Sequence, residues 1–274
     1  MVKRFGILSL VAMLLLAACS PERKLAKAYL KNHSGNAIMI IPLYELYKDN
    51  LSISYDSAIK YSPEQFDSIA WVQSVFIKRL SDSVFLTAFT NNLITELTQK
   101  GYDVYVDGSS DVFFGLPDPK WIIQIAQLQM DEQHKNHYYE MYSVETGEPV
   151  QEDIRINFVS LESWFEVSRA NTGNKQVLYL NSYIRDDISS KLDLNFMEGS
   201  VGVERQRDSL VMDDIYRMAE QSGQKHGQML FDYFMNDYIR ENLPAGIKNR
   251  QYFRFDYKSK SIEKGLRERF EVIN

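Results

Sequence analysis

His134 and His137 stand three residues apart, with Asp131, Glu132 and Glu140 close by in sequence. These side chains ligate divalent metals, but the spacing is not the His-Glu-x-x-His that puts two imidazoles on one helix face. No distant further ligand is identifiable. A solvated polar hairpin accounts for the cluster better, so no metal is assigned. His226 falls on an apolar helical face and reads as a packing histidine. Asp186-Asp187 and Asp213-Asp214 invite a paired-carboxylate reading. Neighbours on a strand point to opposite faces, and on a helix they diverge by about 100°. Neither pair spans a cleft as glycosidase carboxylates do. Ser109-Ser110 lacks the Gly-x-Ser-x-Gly elbow of a serine nucleophile, and no phosphate-binding glycine loop is present. Gly223-x-x-x-Gly227 has helix-packing spacing, but Gln224, Lys225 and His226 between the glycines exclude a membrane helix. The residues thus assign no catalytic group and no cofactor.

Aromatic side chains are the remaining signal, with 17 Tyr, 15 Phe and 3 Trp. Tyr44, Tyr47, Tyr55 and Tyr61 form one cluster. Tyr138, Tyr139 and Tyr142 form another. Tyrosine offers a large contact area with a polar tip, which suits a protein-binding or sugar-stacking face. Strand propensity and half-buried packing explain much of the same content. Of these residues, Tyr44, Tyr47, Tyr138, Tyr139 and Tyr142 are the partner-binding candidates.

The only cysteine is Cys19. Lys3 and Arg4 precede an apolar run at residues 7–16, broken only by Ser9, and Leu16-Ala17-Ala18-Cys19 ends it. The run is too short for a permanent span, which needs about 20 apolar residues. A basic start, a short apolar core and a small-residue exit mark a removable segment. The stretch resembles a bacterial lipoprotein signal peptide, and Leu-Ala-Ala-Cys resembles the lipobox. The resemblance implies that residues 1–18 are removed and that Cys19 becomes a triacylated N-terminus. Three chains anchor stably where one binds only marginally. Ser20-Pro21-Glu22 follows, without aspartate. By the same resemblance this implies sorting to the outer membrane, with the body on the periplasmic side.

Loss of Lys3 and Arg4 with the signal leaves 29 basic against 37 acidic side chains, a net charge of about −8. That balance argues against nucleic acid, whose binding needs clustered cations. Hydrophobic residues make up 45% of the chain, enough for a packed core. No linker or repeat divides it. The expected organisation is a lipidated tether at 19–36, one α/β (α+β) domain at 37–257 and a polar C-terminal tail at 258–274. A short helix is expected within the tether at 24–30; as flexible coil the segment would span roughly 20–25 Å.

Within the domain, the apolar run at 37–43 reads as a doubly buried strand ended by Pro42. Residues 44–60 read as irregular and 63–80 as helix. A second helix at 82–100 starts from Asp82 and carries Phe85, Phe89, Leu93 and Leu97 every fourth residue, with Gly101 as its stop. A strand at 102–106 and a loop at 107–120 follow. Strands at 121–131 and 138–144 flank the histidines, with a turn at 145–148. A phase slip between Phe158 and Val159 suggests a bulge. A hairpin turns at 171–174 onto a strand at 177–184. The long helix at 208–243 is weakened at Gly223 and Gly227, where it is expected to break. A last strand at 251–257 precedes a tail ending in a short helix. The predicted fold is a mixed sheet with helices packed on it, ordered β-α-α-β, β-meander, long α, final β.

The strand at 38–43, the helix end Leu97-Thr98-Gln99-Lys100-Gly101-Tyr102-Asp103-Val104 and the strand opening Trp121-Ile122-Ile123 resemble a group of envelope lipoproteins. The group includes the curli-secretion lipoprotein, the lipoprotein activators of peptidoglycan synthases and the N-terminal domain of the Tol translocation protein. The match covers about a third of the chain. Residues 44–80 form a longer insert than the group carries. The resemblance implies a non-enzymatic binding or assembly subunit with an envelope protein as partner. A carbohydrate-binding surface lipoprotein is the alternative, and an envelope hydrolase with a dispersed site is a second.

Overall fold

The computed structural model describes residues 20–52, 62–142, 149–173, 175–195, 200–247, 251–266 and 269–273. Helix α1, Pro21–Asn32, starts at once, with the Ser20 hydroxyl accepting from Arg23 N and Pro21 in the first turn. Its Ala26 and Tyr29 are buried. The short helix expected at 24–30 is therefore longer, spanning 21–32, and is docked on the body rather than part of a flexible tether. An aromatic contact face, Tyr29 against Phe231 and Tyr238, outweighs its polar composition.

Strand β1, Ala37–Ile41, lies between β3, Asp103–Val106, and β4, Lys120–Tyr142, and is parallel to both. Helices α2, Pro63–Gln73, and α3, Asp82–Gln99, fill the crossover from β1 to β3. Two strands interrupt or extend the expected elements here. β2, Tyr47–Asn50, lies within the stretch read as irregular and pairs with β4 along the same edge as β1. β4 runs unbroken for 23 residues, so His134 and His137 lie in a strand rather than in a turn. β5, Pro149–Arg169, pairs with it throughout, which explains the continuity: every polar residue in the middle keeps a backbone partner. The turn expected at 145–148 lies outside the described residues.

β6, Lys175–Arg185, pairs with β5, and β11, Glu271–Ile273, pairs with β6. The sheet order is β11-β6-β5-β4-β1-β3, with β2 beside β4. The register shift falls on β4 between Ile125 and Gln127, not on β5. The apolar phase of β5 changes for another reason. Val159, Leu161, Phe165 and Val167 face the helices, whereas Phe158 stacks on Tyr183 across the opposite face.

One sheet face is covered by α3 and by α5, Met212–Asn242. Phe85, Phe89, Leu93 and Leu97 of α3 are all fully buried, as their spacing predicts. Ser81 rather than Asp82 occupies the cap position, and Gly101 stops the helix at φ 94°. α5 is continuous across Gly223 and Gly227. A Cβ on Gly223 would lie 2.2 Å from the Phe89 carbonyl oxygen, and one on Gly227 2.8 Å from Glu96. The glycines let two backbones touch, and that contact outweighs their low helix propensity.

α2 ends at Gln73 rather than near 80. The Glu132 carboxylate accepts from Val75, Phe76 and Ile77 N–H at 2.6, 2.8 and 3.1 Å, and so holds that segment out of the helix. A short helix α4, Ser110–Phe114, stands in the stretch expected to be a loop and buries Phe113 against the other sheet face near β1.

β7, Asp187–Asn195, and β8, Ser200–Asp208, make a separate hairpin, as do β9, Tyr252–Asp256, and β10, Ser261–Gly265. β10 and β11 replace the polar tail expected from 258. Their anchors are Ile262 and Phe270, both buried.

Candidate functional site

Cys19, Tyr55 and Tyr61 lie outside the described residues, as do the side chains of His137, Tyr139, Glu140 and Tyr142. Tyr44 is exposed, and its hydroxyl donates to Asp107 at 3.4 Å. Tyr47 is exposed on β2 opposite Gln129. Tyr138 is 76% exposed on β4, nine positions beyond Gln129. At about 3.3 Å per residue, Tyr47 and Tyr138 sit roughly 30 Å apart along β4. The fold does not bring them into one surface.

It brings Tyr47 to a different set. On β2, Lys48 and Asn50 turn toward the helices: Lys48 Nζ meets Asp82 at 2.6 Å and Asn50 donates to the Ala70 carbonyl at 2.8 Å. Alternation therefore sends Tyr47 and Asp49 to the opposite face. The registers line this face up in rows: Tyr47, Gln129, Glu162 and Asn181 in one, and Asp49, Asp131, Ser160 and Tyr183 in the next. Trp164 stands directly across from Tyr179 with ring centroids 5.1 Å apart, and Phe158 stacks on Tyr183 at the same distance. No described helix packs over these rows; α4 covers only the neighbouring end around Met39.

Amides and carboxylates fill the space between the rings. Gln127 donates to Gln129 at 3.1 Å, and Gln129 donates to Asp131 at 3.0 Å. Desolvation between these neighbours raises the Asp131 pKa, and the charges of Glu162 and Asp49 add to it, while the Gln129 hydrogen bond opposes the rise. The face thus offers apolar ring area with fixed donors and acceptors at its edges. Sequence reading missed Phe158, Trp164, Tyr179 and Tyr183. The alternation Phe158, Ser160, Glu162, Trp164 and Val177, Tyr179, Asn181, Tyr183 carries the signal, but only the pairing shows that both strands turn these residues to one side.

The other groups with chemical potential are occupied structurally. His134 Nδ1 meets Arg155 Nη2 at 2.8 Å; burial, with this cation, lowers its pKa. Asp131 lies on the opposite sheet face from His134; Glu132 shares the His134 face, but its carboxylate is occupied by the Val75, Phe76 and Ile77 N–H groups. Among the described residues, no group of three or more metal-type ligands converges. His226 is fully buried among Phe89 and Phe165, with Nδ1 against the Ser222 carbonyl, and burial lowers its pKa to about 4. Asp186 accepts from Asn157 N at 3.0 Å, Leu210 N at 2.8 Å and Arg207 at 2.6 Å, fixing the start of β7. Asp214 accepts from Val211 N at 2.9 Å at the start of α5. Ser109 Oγ donates to the Val106 carbonyl, and Ser110 opens α4. Among the described residues, no helix is long and apolar enough to cross a membrane. No protein-family model matches the chain, and no curated protein matches its sequence.

Proposed function

We propose that the protein is a lipid-anchored, non-catalytic subunit of the bacterial outer membrane, held on the periplasmic side by acylated Cys19, that grips another envelope protein with the open face of its sheet. The observation that carries this reading is that face: four strands present Tyr47, Phe158, Trp164, Tyr179 and Tyr183 among Gln, Asn and carboxylate side chains, while the helices cover the other side. It measures roughly 14 by 20 Å, which fits the central anchor cluster of an interface of about 800 Å² per partner.

The anchor geometry supports the same reading. Only Ser20 separates Cys19 from α1. Tyr29 packs on Phe231 and Tyr238, and His33, one turn later, packs on Phe231, so α1 runs antiparallel to α5. The start of α1 then lies beside the end of α5, near Trp121 and Arg169, where β4 begins and β5 ends. β4 and β5 extend from that end past residue 133, so the start of α1 and the far ends of β4 and β5 lie at opposite ends of the body.

A photo-crosslinking residue at position 183 in living cells tests the reading. The expected result is a specific envelope protein whose crosslink is lost with Trp164→Ala. The Trp164–Tyr179 ring pair beside Gln127 and Glu162 favours carbohydrate as the second reading, because sugar faces stack on rings and their hydroxyls meet amides. Absence of a specific protein crosslink, together with polysaccharide binding lost in Trp164→Ala, would replace the first reading with the second.

A further inference from the structure

An acidic chain concentrates cations in one place. Between α5, the β9–β10 hairpin and the approach to β11 lies a cavity of about 850 Å³, large enough for a small organic ligand. Lys225 comes from α5, Arg254 from β9, Lys264 from β10 and Arg269 from the segment before β11. Glu271 is the only carboxylate among the described lining residues. Arg254 is engaged by Glu263 at 2.9 Å, and Arg269 Nη1 stands 4.0 Å from Asp232. Lys225 and Lys264 have no carboxylate within ion-pair distance among the described residues. Desolvation lowers the Lys225 pKa, and the Arg269 charge lowers it further. Lys225 and Lys264 add unpaired charge beside the partly compensated Arg254 and Arg269, and an anion placed among them lowers the repulsion between these cations.

We propose that this cavity binds a phosphate-bearing ligand. Two guanidinium groups supply planar paired donors and two ammonium groups supply point charges, the combination that suits a doubly charged phosphate. Met229, Tyr252 and Phe270 line the same space and give the rest of the ligand an apolar wall. The site lies on the helix-covered side and shares no residue with the open sheet face, so it stands whether or not that face binds a partner. Met229 is thirteen residues before the end of α5, roughly 20 Å along the helix. The phosphate can belong to a soluble compound or to a lipid headgroup.

The test titrates the mature chain with pyrophosphate, with citrate and with vesicles of phosphatidylglycerol or phosphatidylcholine, at two salt concentrations. It compares wild type with Lys225→Gln/Lys264→Gln, with Lys264→Gln alone and with Lys175→Gln, a cation of the opposite sheet face. Lys264 is exposed, so its single variant keeps the fold. The expected result is that pyrophosphate or phosphatidylglycerol vesicles bind, that the double variant weakens binding roughly tenfold or more, that the single variant gives a smaller loss and that Lys175→Gln leaves binding unchanged. Pyrophosphate binding alone identifies a soluble ligand, and vesicle binding alone a headgroup. Binding of neither probe, equal binding of citrate, or binding that all three variants retain would overturn the proposal.

Discussion

At the scale of single residues, polar groups that look chemical in the sequence are mostly spoken for by backbone. Glu132 shows this: three N–H donors converge on one buried carboxylate. Gly223 is decided by sign. In an exposed helix, Gly→Ala stabilises by about 1 kcal/mol. Here the added Cβ meets a backbone oxygen that cannot move alone. Gly223→Ala is therefore expected to destabilise by about 3 kcal/mol, seen as a lower urea midpoint at constant m-value. A midpoint at or above wild type would refute the close approach of α3 and α5.

Asp232 is fully buried, with Oδ1 accepting from Phe255 N at 2.8 Å; burial raises its pKa to about 7, opposed by that bond and by Arg269, Arg254 and Lys100. A carboxyl that holds its proton more tightly when folded favours the folded state at low pH. That benefit is complete below the ordinary value of 3.8 and disappears as pH rises to about 7. His226 acts oppositely, because the unfolded chain takes up its proton below 6.5 while the folded chain resists until about 4. The two slopes offset each other between pH 4 and 6.5. The Asp232→Asn variant isolates the first. Its stability relative to wild type should rise from pH 4 to pH 7 and then level off; a difference independent of pH would show that Asp232 ionises normally.

At the scale of elements, the terminal segments are structural. Phe270 packs on Phe165 and His226 with centroids 6.4 Å from each, and β11 closes the edge of β6. Ending the chain after Tyr257 removes β10, β11 and Phe270. Loss of one large buried aromatic costs about 3–5 kcal/mol by itself. The truncated chain should lose its cooperative thermal transition in calorimetry. A transition within a few degrees of full length would restore the boundary expected at 257.

At the scale of the whole molecule, α1 docks on α5 and leaves one residue between Cys19 and the folded body. A lipid on Cys19 would hold the body against the bilayer without a flexible spacer. Cys19→Ala is expected to abolish labelled-palmitate incorporation and to move the protein out of the membrane fraction. Labelling that persists in this variant would remove the anchor from the proposal. Inserting ten Gly/Ser residues between Cys19 and Ser20 should leave the melting temperature unchanged, because Ser20 still caps α1 by accepting from Arg23 N.

The division between sequence and tertiary structure follows the range of the interactions. The α3 stripe Phe85, Phe89, Leu93 and Leu97, the Gly101 stop and the helix-on-sheet class were legible in the sequence, because helical periodicity and a positive-φ stop are local. The open aromatic face was not. Trp164 and Tyr179 share it because β5 and β6 pair in one register, and Tyr47 joins because a parallel strand 82 residues earlier than Gln129 lies beside β4. The cationic cavity depends in the same way on α5, β9, β10 and Arg269 meeting in space. Gly223 read as a helix breaker because propensity describes an isolated helix, whereas the neighbouring Phe89 carbonyl exists only after α3 packs. Local preference sets which residues form helices and strands; the pairing of distant segments decides which of their side chains share a surface.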